Sequence, residues 1–277
     1  MARKGTIISW TIVVIFIFTT LFPIYWFFTM SIKPRESYVE YAQEIVWFPS
    51  KPTLEHLTRI LRFGQEGQLD YLVNSTIIAI GTTALVLLLA SPAAYAFARL
   101  KFKGSQGMSM WILSLRLIPP ICAVIPIYLL INFFHLIDTY IAVIIAHTLF
   151  VLPFAIWVLR SFFIEVPPEI EESAMVDGCS RWGALIRIII PVSSAAIVTV
   201  AIFSMIFSWS EFLFALVLTR SSAATLPVSI SLFKGHMEIM WGEISSASLM
   251  ATLPIVIFYF MVYRHLIRGL TLGAVKG

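Results

Sequence analysis

His147, Glu211 and Arg116 are ionisable side chains set inside long apolar runs, and Trp209 stands just before Glu211 in "FSWSEFLFALVLT". A charge at the centre of a bilayer costs about 3 kcal/mol on insertion scales, so such groups face a protein interior, a partner or a water-filled path. An imidazole, a carboxylate and an indole at one level could hydrogen-bond and stack on the hydroxyls of a solute, or carry protons. A buried structural hydrogen bond, or a charge on a partner subunit, explains the same residues as well. A second cluster gathers Glu169, Glu171, Glu172 and Asp177 with Arg181 and Arg187, in a segment broken by Gly178. Its chemistry is that of a charged docking surface.

Other chemistry finds little support. Cys122 falls in an apolar run and Cys179 in the charged segment, with no metal-ligand neighbour at useful spacing and no reason to pair. No phosphate-binding loop, dinucleotide fingerprint or zinc signature is present, so the chain is not expected to hydrolyse nucleotide, to hold a metal or to carry a cofactor.

The elements that must position these residues follow from composition. Of 277 residues, 59% are hydrophobic and 12% charged, and mean hydropathy is +0.91. A helix crosses hydrocarbon with about 20 apolar residues, and six runs qualify, at about 7–30, 72–97, 108–132, 139–160, 192–219 and 247–264. The expectation is an all-α membrane protein with six transmembrane helices in one domain, surrounded by lipid. The first run is too long for a removed signal peptide and lacks a small-residue cleavage site. Arg3, Lys4, Arg99, Lys101, Lys103, Arg160, Arg181, Arg187, Arg264, Arg268 and Lys276 then share one side, and the short segment near 133–138 on the other side has no Lys or Arg. The positive-inside rule therefore puts both termini in the cytoplasm, and the pI of 9.1 needs no nucleic acid to explain it.

Counted from these boundaries, His147 and Glu211 each lie about 8 residues below the outer ends of their helices, roughly 12 Å deep on the same side. Arg116 enters from the inner end, too far for a direct pair with Glu211. Pro119, Pro120 and Pro126 interrupt its helix, which would leave carbonyls free to line a path. Residues 35–70 read as a small outer cap, with Leu54, Leu57 and Leu61 at helical spacing. Residues 220–243 read as an outer re-entrant or interfacial loop.

Between the fourth and fifth runs, residues 165–191 form a cytoplasmic loop. Pro167 and Pro168 followed by Glu169, Glu171 and Glu172 predict a helix start, since Pro fits the first turn and acids suit its positive end. Gly178 can supply the left-handed position that closes this helix, and Ser180 can cap a second one carrying Trp182, Leu185, Ile186 and Ile189. Such short helices are unstable alone. Their apolar faces are covered either by the chain's own spans or by a cytoplasmic partner whose basic residues meet Glu171 and Glu172.

This segment resembles the E-A-A loop of permease subunits of binding-protein-dependent ABC importers. Glu172, Ser173 and Ala174 match its opening, Asp177 and Gly178 its D-G step, and Ile188, Ile190 and Pro191 its closing I-x-L-P. Ser173 replaces Ala and Ile190 replaces Leu. "SIKP", "NSTIIA", "YAFARLKFKG", "IPIYLLI", Asp138-Thr139 and the terminal "GLTLGAVKG" are similar to the second permease of maltose-type sugar importers. The resemblance implies the type I ABC importer permease fold in a bacterial or archaeal cytoplasmic membrane. It also implies a second, non-identical permease, two ATPase subunits that bind ATP and Mg, and an outer solute-binding protein or lipoprotein delivering a sugar, oligosaccharide or polyol. The loop would fit a cleft on the ATPase, and the tail 265–277, with Gly269, Gly273 and Lys276, would reach between the ATPases.

Two other classes compete. An ion-coupled secondary transporter would use Arg116, His147 and Glu211 for protons, but leaves the E-A-A spacing without a reason. An intramembrane hydrolase would need a catalytic set at one depth, and only His147 with Glu211 offers one.

Overall fold

The structure is a computed structural model that describes residues 2–35, 47–64, 67–100, 102–233 and 239–273, with side chains from 9 to 260. Among these residues every regular element is helical. Four helices are long and apolar enough to cross a membrane, and six spans result if each of two bent pairs counts as one. The chain divides into two compact units, 1–72 with 226–254, and 73–225 with 255–277.

In the first unit α1 (Ala2–Ser31) carries apolar residues all round, and no residue of its most apolar window is buried. A helix of that kind belongs in lipid or against another chain. Its end is tied down by Thr53 N–H, which donates to the Ile32 carbonyl at 2.8 Å, and by Tyr25, whose hydroxyl donates to the Trp47 carbonyl at 2.9 Å. The short helix α2 (Glu55–Ile60) buries His56 and Ile60, while Leu54 and Leu61, expected on its apolar face, are exposed. The reason is an acid on another helix of this unit. His56 Nδ1 lies 3.3 Å from Glu243 Oε2, its Nε2 lies 3.0 Å from the Lys33 carbonyl, and Arg59 Nη1 donates to Glu243 Oε1 at 3.2 Å.

The second unit is built on α3 (Leu69–Arg99), whose Ala79, Thr82, Val86, Ala90 and Ala94 form a buried stripe of small residues. Small side chains let neighbouring backbones approach closely. The segment α4 (Ser105–Ser114) tightens into a 3₁₀ turn at Leu115–Leu117, and α5 (Pro120–Phe133) leaves it at 96°. The interruption expected of the third span is thus a corner, made at Ile118-Pro119, where the residue before a proline is pushed to extended backbone. Pro126 sits inside α5 without ending it.

Helix α6 (Tyr140–Glu165) is capped by Thr139, whose side chain accepts from Ala142 N–H. Then come α7 (Pro168–Val176), α8 (Arg181–Ala184), a π-helical turn at Leu185–Ile189, α9 (Ile190–Val192) and α10 (Ser194–Ser210). The fifth span, expected from residue 192, instead begins beyond an 82° bend at Ser193. That span stops at Ser210 rather than near 219, and α11 (Leu213–Leu218) starts afresh. Helices α12 (Leu226–Leu232) and α13 (Trp241–Gly273) complete the order. A core of Val86, Ala90, Val151, Ala155, Leu159, Phe163, Leu185, Ile189 and Val200 joins α3, α6, the π turn and α10.

Candidate functional site: a capped elbow and a buried polar cluster

The elbow starts at Pro167-Pro168 and turns at Gly178. Gly178 has φ +89°, Cys179 N–H donates to the Ala174 carbonyl at 3.0 Å, and Gly178 N–H to the Met175 carbonyl at 3.1 Å. This is a Schellman closure, which needs a left-handed residue at that position. Ser180 then accepts from Gly183 N–H at 3.2 Å and starts α8.

On this elbow Glu172, Ser173, Val176 and Asp177 are exposed, Val176 at 87%, while Ala174 is half-buried. Ile188 is half-buried and Pro191 exposed. Trp182 and Ile186 point outward, and Leu185 and Ile189 enter the core. Glu171, expected beside Glu172 on the outward surface, is instead only 5% exposed. Its carboxylate accepts from the Tyr95 hydroxyl and from Arg99 Nε at 2.9 Å, so it is engaged inside the chain. The signal available in sequence was Arg99 at the end of "YAFAR", with no means of pairing it to an acid far along the chain.

The second cluster brings together His147 and Glu211, as depth counting anticipated, but buries most of it. His147 is 0% exposed, with Nε2 3.0 Å from Glu211 Oε2 and Nδ1 2.8 Å from Ser208 Oγ. Ser208 in turn donates to Thr82 Oγ1 at 3.3 Å. Glu211 also accepts from Phe214 N–H at 3.0 Å and Ala215 N–H at 3.2 Å, capping the free first turn of α11. Trp209 is 3% exposed and meets Phe258 edge-on at 6.4 Å. In this conformation neither His147 nor Trp209 offers surface to a solute, whereas the Glu211 side chain keeps 10%.

Arg116 lies apart from that cluster. Its guanidinium sits 4.9 Å from the Phe154 ring and 5.1 Å from Phe203, a double cation–π contact, and its Nη1 is buried without a hydrogen-bond partner. Gly269 and Gly273 fall in the last turns of α13, and Lys276 lies outside the described residues. Among the described residues no group of His, Cys, Asp or Glu could hold a metal ion.

Residues that sequence reasoning missed stabilise the ends of these helices. Asp138, itself at φ 61°, accepts from the backbone N–H groups of Arg220, Ser221, Ser222 and Ala223. Burial opposes its charge, yet the four donors bring its carboxyl down to about 2. Asn74 donates to the carbonyls of Ser222 and Ala224 at 3.1 and 2.9 Å, and accepts from the Tyr140 hydroxyl at 2.8 Å.

The chain is 35% identical to the trehalose/maltose transport system permease protein MalG of Thermococcus litoralis, over 93% of this chain and 92% of the relative. It is 32% identical to the diacetylchitobiose uptake system permease protein DasC of Streptomyces coelicolor, over 96% and 95%. The crystal structure of a bacterial ABC transporter involved in the import of alginate superposes with a TM-score of 0.80 at 21% identity, over 95% of this chain and 96% of that one, a likeness of fold. Residues 86–272, which include the elbow, Glu211 and the bent fifth span, match the family described as binding-protein-dependent transport system inner membrane component. The chain therefore belongs to the family of multi-pass membrane permease components of binding-protein-dependent transport systems.

Proposed function

We propose that this chain is the permease subunit of an ATP-driven importer that takes up a sugar, oligosaccharide or polyol handed over by an extracytoplasmic solute-binding protein or lipoprotein. It crosses a bacterial or archaeal cytoplasmic membrane six times with both termini inside, each bent pair serving as one span. A second, non-identical permease completes the path, and two ATPase subunits bind ATP and Mg and hydrolyse the nucleotide. The names of the relatives, a trehalose/maltose and a diacetylchitobiose permease, support the carbohydrate class.

The observation that carries this reading is the build of the elbow. A turn fixed by Gly178 presents Glu172, Ser173, Val176 and Asp177 outward, beside the half-buried Ala174 and Ile188 and ahead of Pro191, while the base of the same helix is bonded into the bundle. Closure of the ATPases on ATP would draw the elbow with them, and packed helices would follow as rigid bodies and turn the path outward. The carboxylate of Glu172 would hold the cleft by a charge-assisted bond, and the tail bearing Gly269, Gly273 and Lys276 would extend between the ATPases. Along the path, Arg116 and Glu211 are the groups with a free atom or surface to offer a hydroxyl, with His147 holding Glu211 from behind and Trp209 packed nearby in sequence.

The test is co-purification from native membranes followed by reconstitution in vesicles. Glu172→Lys and Gly178→Asp are expected to leave membrane insertion intact while uncoupling ATP hydrolysis from uptake. Undiminished coupling in both variants, or uptake by the isolated chain on an ion gradient, overturns the reading.

A further inference from the structure

Arg99 ends α3 and holds two groups at once. Its Nε donates to Glu171 Oε2 at 2.9 Å, and its Nη2 donates to the Val166 carbonyl at 2.7 Å. Val166 directly follows α6, and Glu171 lies in the first turn of α7. The Tyr95 hydroxyl, one turn earlier on α3, donates to the other oxygen of Glu171. One planar cation thus fastens the ends of three helices, a task suited to the fixed fork of guanidinium and not to an ammonium.

What the fastening does follows from the backbone beside it. Val166 has ψ 124° and Pro167 ψ 128°, so α6 and α7 are joined by a short extended link and not by continuous helix. Such a link transmits little torque, and α7 would swing on it unless something else held it. Both oxygens of Glu171 are taken within the chain, which leaves the exposed Glu169, Glu172 and Asp177 as the acids of the elbow that face outward.

We propose that Arg99 and Glu171 form the joint through which movement of the elbow enters α3, a positioning role that rests on the reading of this chain as an ATP-driven permease. The elbow, the end of α6 and α3 then move as one piece. Docking is the work of the outward face, and the Arg99–Glu171 pair converts it to motion of a span.

The experiment uses the assembled transporter, with Cys122→Ser and Cys179→Ser removing the native thiols and spin labels on Ile170→Cys and Leu88→Cys, both exposed positions outside the outward docking face. The distance between labels is measured without nucleotide and with a non-hydrolysable ATP analogue and Mg. With the joint intact the distance is expected to be the same in both states. In Glu171→Gln and in Arg99→Lys, which keeps the charge but cannot hold both partners, it should shift with nucleotide while the ATPases still co-purify. A distance independent of nucleotide in both variants, or dependent on it in the unaltered joint, overturns the proposal. So does loss of the ATPases on Glu171→Gln, which would make Glu171 a docking acid and leave the permease assignment standing. Failure of any ATPase to accompany the chain with Arg99 and Glu171 unaltered overturns both readings together.

Discussion

His147 Nε2 and Glu211 Oε2 lie 3.0 Å apart with the imidazole fully buried, and they join the first third of α6 to the break between α10 and α11. Glu211 serves this break twice, as partner to the ring and as acceptor for the first backbone donors of α11. Glu211→Ala removes both and is expected to destabilise the complex by about 2 kcal/mol, whereas Glu211→Gln keeps an acceptor oxygen and costs less. Thermal unfolding in detergent reads the difference. Equal losses in the two variants would exclude the capping role.

Gly178 invites a test that separates backbone from space. A Cβ there meets nothing within 4 Å, so the cost of substitution is the left-handed φ of +89° alone. Gly178→Ala should weaken capture of the ATPase subunits by about fivefold, on the ~1 kcal/mol that this conformation costs an L-residue, and Gly178→Asn should retain more. Pull-down titration measures both, and identical affinities would show that the turn is not what the partner reads.

Acid stability should register Asp138. Its folded value of about 2 lies below the ~3.9 of an unfolded aspartate, so its contribution is complete above roughly pH 4 and is lost as pH falls toward 2. Asp138→Asn should flatten that part of the unfolding profile. An unchanged slope would mean that the four backbone donors are held by other groups.

At neutral pH the residue to watch is His56. Its hydrogen bond to Glu243 raises its pKa above the usual histidine range, against the opposing effect of burial. The stabilisation is therefore full below about pH 6.5 and is lost as pH rises through the raised value. Gly242→Ala would set a methyl 2.5 Å from the His56 ring and force it aside. Both that variant and His56→Gln should remove the dependence of the melting temperature on pH in this range. Persistence of the dependence in both would assign it elsewhere.

Much of this architecture is legible before any coordinates. Uninterrupted apolar runs mark the spans, Pro119-Pro120 marks a break, and the order Pro, acids, Asp-Gly, Ser writes out the elbow. Other breaks carry no such mark. Nothing in "FSWSEFLFALVLT" warns that the helix ends at Ser210, because the cause is a carboxylate that folds back to cap the next segment. Pro191 invited a boundary, yet it lies inside α9 and the bend falls at Ser193. Glu171 and Glu172 are equals in sequence and differ only by about 100° around a helix. Which one turns inward depends on Arg99, 72 residues earlier. On α2 the leucine spacing suggested the wrong face for the same reason, since Glu243 draws a histidine inward.

The π turn at Leu185–Ile189, where Ile190 N–H reaches back to the Leu185 carbonyl, works as a phase shifter in the polypeptide. One surplus residue per turn rotates everything before it by about 100° relative to everything after. Excising a single residue from this stretch would restore an ordinary helix without changing hydrophobicity. It would also aim Trp182 and the preceding bend at a different quarter of the compass. Angular register, and not only the outward-facing amino acids, therefore decides which way the elbow is pointed.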